Sequence, residues 1–164
     1  PIGSVVCTRE IAKKFANGME FFNTFGGNPV SCAIATQVLQ TVGEEKLQEN
    51  ALATGEFLKN ELRALSKRFP ILGDIRGQGL FLGVELVDEN LGPLPEHANY
   101  LMNRMKELGI LMSTDGPDHN VLKIKPPMIF TQDQGRELIA TLEMVLKEDF
   151  MRLEPNSQTT KRIQ

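Results

Sequence analysis

Between residues 45 and 69 the positions Leu47, Ala51, Thr54, Leu58, Leu62, Leu65 and Phe69 recur at spacings of mostly three or four, with lysines and glutamates prominent between them. That period lays one apolar stripe along one side of a helix roughly seven turns long. Pro70 closes it, because proline cannot continue a helical hydrogen-bond ladder. Gly55 interrupts the run and permits a close approach by a neighbouring element. A one-sided helix of this length has to be covered, and the sequence supplies the cover shortly afterwards. Leu80, Leu82, Val84 and Leu86 alternate with Phe81, Gly83 and Glu85, the pattern of a strand with one strongly apolar face. A striped helix followed by a one-faced strand restricts the chain to helices layered on a sheet.

The remaining elements extend that plan. Strand-like Val5-Val6 precedes a short helix over residues 9–15. A second helix runs from Pro29 to a stop at Gly43, with Cys32, Ala33, Ala35, Val38, Leu39 and Val42 at helical spacing; Glu44 and Glu45 suit the first turn of the long helix after it. Residues 90–95 read as a loop. Residues 96–108 form a helix that points Ala98, Leu101, Met102, Met105 and Leu108 inward and stops at Gly109. Residues 110–113 and 121–125 read as strands joined by the turn-rich "TDGPDHN", and Pro126-Pro127 ends the second. Thr131 with Gln134 makes a capping box for a last helix to about residue 150, with Leu138, Ile139, Leu142, Val145 and Leu146 as its stripe. From Met151 onward the polar sequence has no period and reads as a disordered tail over residues 151–164. No internal repeat is present. The expected class is α+β, with helices packed on a small, mostly antiparallel sheet.

Composition narrows the function classes. A net charge of −3 over 164 residues gives no electrostatic case for nucleic acid or an anionic membrane as partner. No apolar run approaches membrane-spanning length. Cys7 and Cys32 are too few for a disulfide framework, have no metal-ligand spacing around them, and read as small core residues in a reduced cytoplasmic setting. No metal site is expected. His97 and His119 read as exposed, and Met102, Met105 and Met128 as core filling. The "RGQG" at residues 76–79 resembles the start of a dinucleotide fingerprint. Leu82 stands where the third glycine is required, however, and the glycines precede a strand rather than follow one, so the stretch reads as a tight entry into that strand.

The segment "FNTFGGNPVS", residues 22–31, carries the most chemistry. Asn28 is a favoured N-cap and Pro29 fits the first helical position. Gly26 and Gly27 let backbone N–H groups approach a ligand, and Thr24 adds a hydroxyl donor. A helix N-terminus dressed in this way suits an anion, phosphate above all. On local physics alone a plain helix-starting turn is the commoner meaning of such a segment.

That string resembles the corresponding turn of the class III, fold-type I, pyridoxal-5′-phosphate aminotransferases. Three further stretches resemble the same family in order: "DIRGQGLFLGVEL" (residues 74–86), "STDGP" (113–117) and "NVLKIKPPMIFT" (120–131). The likeness covers about residues 1–150. It implies that residues 1–43 are the end of the large cofactor-binding domain and residues 44–150 the C-terminal small domain. It also implies pyridoxal 5′-phosphate as cofactor, with Thr24, Phe25 and Gly26 at its phosphate, and a homodimer in which Thr24 reaches the cofactor of the neighbouring subunit. The family's Schiff-base lysine stands just before a "PIG"-like turn, so its expected place is immediately before Pro1, and no catalytic residue is assigned in this chain. The family's "NGHP"-like loop after that turn is missing here.

Lys123 stands where many members carry an arginine that clamps a substrate carboxylate. Lysine lacks the planar fork, and with "STDGP" it resembles the branch of phospho-lyases acting on phosphoethanolamine or 5-phosphohydroxylysine. The resemblance therefore implies an enzyme acting on small amines, with Lys123 at the substrate. An ordinary amine:2-oxo-acid aminotransferase and a non-catalytic fragment are the alternatives, and a solvated lysine on an edge strand is the plain reading of Lys123 itself. A cytoplasmic location is expected, a mitochondrial one remaining open.

Overall fold

The computed structural model describes residues 1–153; of the tail expected over residues 151–164, residues 154–164 lie outside the described residues. The chain divides into two compact units at the Lys46–Leu47 bond. Lys46 adopts a positive φ of 51°, which breaks the helical path there.

The first unit holds α1 (Arg9–Phe15) and α2 (Pro29–Glu44). Asn28 caps α2 as expected, its side-chain oxygen accepting from the Ser31 N–H at 2.9 Å. The helix runs through Gly43, so Glu44 ends α2 rather than starting the next helix. Neither helix buries a residue fully. Val5 and Val6 are 88% and 98% exposed and join no strand, since no partner edge lies beside them among the residues of this unit. Cys7 and Cys32, expected inside, are both exposed for the same reason: 46 residues with two helices build no core of their own.

The second unit is the α+β layer structure that the hydrophobic periods call for. Its elements are α3 (Leu47–Ser66), β1 (Leu72–Gln78), β2 (Phe81–Leu86), α4 (Pro95–Glu107), β3 (Ser113–Asp115), β4 (Val121–Ile124) and α5 (Gln132–Leu146), followed by a 3₁₀ turn at Asp149–Met151. The sheet has the order β1-β2-β4-β3 and every pairing is antiparallel. One face carries Leu82, Val84, Leu86, Leu122 and Ile124. Against it pack Leu58, Leu62 and Leu65 of α3, Leu101 and Met105 of α4, and Leu138, Leu142 and Val145 of α5. Each such fully buried leucine contributes about 1.5–3 kcal/mol.

Several elements differ from their sequence reading. β1 was not expected as a strand, because Gly73, Asp74 and Gly77 are poor strand formers. It forms because β2 needs a partner, and it absorbs its misfit in a bulge between Leu72 and Ile75. "RGQG" is therefore the end of β1 and the turn of a hairpin. Gln78 pairs with Phe81, and Gly79 opens the two-residue loop at a φ of 54°. β3 lies at residues 113–115 rather than 110–113, since its register is set by Ser113 opposite Lys123. Gly116 and His119, both at positive φ, close that hairpin. Met151 is only 3% exposed and packs into the core, so order extends past the expected start of the tail. Met128 is exposed instead of core-filling; its carbonyl accepts from Asn50 Nδ2 at 2.8 Å, which ties the "PPMIF" loop to α3. His97 is half-buried against the Phe150 ring at 5.2 Å, and that burial lowers its pKa. The Thr131–Gln134 capping box forms as expected.

Arg68, just beyond α3, grips Glu143 of α5 with two parallel hydrogen bonds of 2.8 and 2.7 Å, and Lys147 adds a third contact at 2.7 Å. Chiefly through Arg68, the Glu143 carboxyl is pushed down from 4.5 to about 2. A depressed carboxyl stabilises the fold above its unfolded pKa, and that stabilisation is lost as pH falls through the folded value. Between pH 4.5 and about 2 the parent is therefore expected to lose stability more steeply than Glu143→Gln, with the two converging at the acid end. Urea titrations across that window measure the difference, and parallel curves would exclude a role for the grip.

Candidate functional site

Two places answer the sequence reading, one in each unit. In the first unit, residues 22–28 form a tight turn into α2. Asn23 organises it: its side-chain oxygen accepts from the Phe25 N–H at 3.1 Å and its carbonyl from the Gly26 N–H at 3.0 Å. A Cβ on Gly26 would stand 3.2 Å from that carbonyl, and one on Gly27 would stand 3.2 Å from Cys32 Sγ at a φ of 151°. Gly27 holds a φ that a side chain would strain, and at Gly26 a Cβ would press the Asn23 carbonyl back by a few tenths of an ångström. The Thr24 hydroxyl and the Gly27 N–H make no hydrogen bond among the described residues, and the side chains of Thr24 and Phe25 are exposed. The turn thus offers unpaired donors beside a helix N-terminus, a donor set that fits a phosphate group. Lys13 and Lys14 lie exposed on α1, so neither has the buried setting of a Schiff-base lysine.

In the second unit, the sheet face turned away from the helices carries the polar groups. Pairing places Ser113, Lys123, Gly83 and Arg76 in one row across all four strands. In antiparallel sheets such a row shares one face. Lys123 Nζ donates to Asp115 Oδ2 at 2.8 Å, and the other Asp115 oxygen accepts from the Gly116 N–H at 2.9 Å. The Lys123 ammonium, followed by that backbone N–H, holds the Asp115 carboxyl below its usual range. At the far end Arg76 Nη1 donates to Asp74 and to Glu85, both at 2.7 Å, which raises the guanidinium pKa. Gly83 puts no side chain between the two cations, leaving a cleft of about 380 Å³ floored by Gly83 and walled by Phe81 and Val121. The lysine stem is held over the sheet, its side chain 28% exposed, whereas Asp115 is 61% exposed.

Sequence reasoning named Lys123 but neither Asp115 nor Arg76. Their juxtaposition follows from cross-strand register, and without β1, and with β3 placed early, that register could not be counted. A signal was present in the eight-residue separation of Asp115 and Lys123 about a Gly-Pro turn, which fits a hairpin diagonal.

Known proteins share this chain's sequence and fold. A Drosophila melanogaster protein described as alanine–glyoxylate aminotransferase 2-like is 48% identical over 143 residues, covering 85% of this chain and 29% of that protein. A Caenorhabditis elegans ethanolamine-phosphate phospho-lyase homolog 1 is 41% identical over 150 residues, 89% of this chain and 32% of that protein. Among solved structures, a phospholyase from Arthrobacter in complex with phosphoethanolamine matches with a TM-score of 0.78 and 36% identity, over 85% of this chain and 33% of that one. An amine transaminase from an uncultivated Pseudomonas species, in its pyridoxal-phosphate-bound form, matches with a TM-score of 0.72 and 28% identity, over 84% and 33%. The chain thus spans about a third of the length of these relatives. The aminotransferase class-III family model matches residues 1–146, and the chain belongs to that family of pyridoxal-phosphate-dependent enzymes.

Proposed function

We propose that this chain is the C-terminal part of a class III enzyme that eliminates phosphate from a phosphorylated amine such as phosphoethanolamine or phosphohydroxylysine. The observation that carries the reading is Lys123, a point charge held on the open sheet face where a carboxylate clamp would need a planar fork. The phosphoethanolamine complex of the Arthrobacter relative supports the substrate class. When bound, pyridoxal phosphate supplies an electron sink that makes a C–H bond beside the substrate nitrogen acidic. This chain's residues bind and orient. The Thr24 hydroxyl, with Phe25 and Gly26 shaping the turn around it, donates to the cofactor phosphate, and in a homodimer it does so across the subunit boundary. Lys123 donates to the substrate's anionic group through the ammonium hydrogens that Asp115 leaves free. The lysine that moves the proton comes from outside these 164 residues. The domain reading, with residues 1–43 ending the large domain and 44–150 forming the small one, belongs to this proposal. So does a cytoplasmic location, although an Arabidopsis thaliana relative, 43% identical over 145 residues, is described as mitochondrial.

In a full-length enzyme carrying these residues, phosphate release from phosphoethanolamine should exceed amino transfer to pyruvate. Lys123→Arg is expected to lower that release about tenfold while leaving the bound-cofactor spectrum intact, since arginine replaces a compact charge with a wide fork. Amino transfer without phosphate release would favour the ordinary aminotransferase instead. Equal rates for mutant and parent would return Lys123 to the solvated face.

A further inference from the structure

The segment between α1 and the turn at residues 22–28 carries a reactive pair that the proposed chemistry does not use. Among the chain's asparagines only Asn17 is followed by glycine. Asn17 and Gly18 are both exposed, in a bend just past Phe15, the last residue of α1. Asn17 Oδ1 accepts from the Met19 N–H at 3.0 Å. That bond folds the side chain back along the backbone, past the peptide nitrogen of Gly18. It also polarises the side-chain amide, and it gives the oxygen a donor for the negative charge it takes up when its carbon is attacked. The attacking atom is at hand. The Gly18 N–H makes no hydrogen bond among the described residues, and Gly18, at a φ of 88°, has nothing within 4 Å of where a Cβ would stand. No other asparagine among the described residues combines these features. Asn28 precedes proline, which has no N–H, those in α3 and α4 sit within regular helix, and Asn120 is buried.

We propose that Asn17-Gly18 is a site of spontaneous modification, at which Asn17 becomes aspartate and isoaspartate through a cyclic imide. The Gly18 nitrogen gives its proton to a solvent base and bonds to Asn17 Cγ; the Cγ–Nδ2 bond breaks and ammonia leaves. Water then opens the ring. Addition at Cγ restores the ordinary chain with an aspartate, whereas addition at the Asn17 main-chain carbonyl leaves the chain running through Cγ as isoaspartate. Either product adds a negative charge to a segment that already holds Glu20, and isoaspartate also lengthens the main chain by one methylene. The Phe15 and Phe21 rings, edge to face with centroids 5.4 Å apart, close that segment. The added length therefore enters a closed loop immediately ahead of the turn at residues 22–28.

Mass mapping of the 164-residue chain during incubation at neutral and mildly alkaline pH tests the site, with a peptide of residues 13–22 as the reference free of the fold. Asn17 is expected to convert before any other described asparagine, at a rate within about tenfold of the peptide's, and faster as pH rises. The aged chain should accept methyl groups from a protein isoaspartate methyltransferase, and the fresh chain should not. Gly18→Ala should slow conversion roughly tenfold in chain and peptide alike, because a side chain crowds the attacking nitrogen. Earlier conversion at another described asparagine overturns the proposal. So does a rate in the chain more than about tenfold below the peptide's, since the folded bend would then shield the pair rather than present it. Aspartate without isoaspartate, or a Gly18→Ala chain and peptide that convert as fast as their parents, overturns the cyclic route.

Discussion

Gly55→Ala is expected to destabilise the 164-residue chain by about 3 kcal/mol or more, the upper end of overpacking costs. Gly55 is buried in the middle of α3, where the helix crosses the β1–β2 turn. A Cβ there would lie 2.0 Å from the Gly79 carbonyl oxygen, 2.4 Å from its carbon and 2.9 Å from its Cα. All three atoms are backbone, and Gly79 is fixed in its turn by a φ of 54°. No rotamer change can relieve the clash. Either α3 lifts from the hairpin, pulling Leu58 and Leu62 off the sheet, or the turn opens and the register of β1 against β2 is lost. Alanine's better helix propensity returns only about 1 kcal/mol, so the clash decides the sign. Gly43→Ala is the contrast, because an added Cβ there meets nothing within 4 Å and is expected to be neutral or mildly stabilising. Urea unfolding followed by circular dichroism reads both. A Gly55→Ala chain as stable as the parent would mean that the helix and hairpin do not approach this closely.

The same glycine illustrates what the sequence could and could not disclose. Its place inside a strong helical period signals a close approach, and the partner proves to be the turn of a hairpin whose first strand went unread. Where the period was strong, as along α3, α5 and β2, elements and inward faces were legible. Where a strand exists because its neighbour requires it, as with β1, local propensity points the other way and register supplies the missing information. The candidate site divides along the same line. The Asn28 cap and the glycine turn at Gly26 are legible because turn and cap chemistry is local. Asp115, Arg76 and the cleft over Gly83 come from residues brought together across four strands. The exposed cysteines and valines of the first unit escaped because an apolar pattern specifies a buried face without specifying what covers it.

Thr24 carries the largest expected effect on cofactor binding. Its hydroxyl stands free at the mouth of a turn that Asn23 holds from both its side chain and its carbonyl, so the donor is presented on a rigid support. A charge-assisted hydrogen bond to a phosphate oxygen contributes about 1.5–3 kcal/mol. In a full-length enzyme carrying these residues, Thr24→Ala is therefore expected to weaken cofactor retention roughly 10- to 100-fold. Thr24→Ser keeps the hydroxyl and should recover most of it. Asn23→Ala should weaken retention as well, by loosening the support while leaving the Thr24 hydroxyl in place. Equilibrium dialysis of pyridoxal phosphate measures all three without depending on turnover. Dilution adds a separate test, because a donor reaching across a subunit boundary makes retention depend on protein concentration. Retention that Thr24→Ala leaves unchanged would reduce the turn to a helix start. Retention that falls with the mutation but ignores dilution would keep Thr24 as the phosphate donor and place its cofactor within the same subunit.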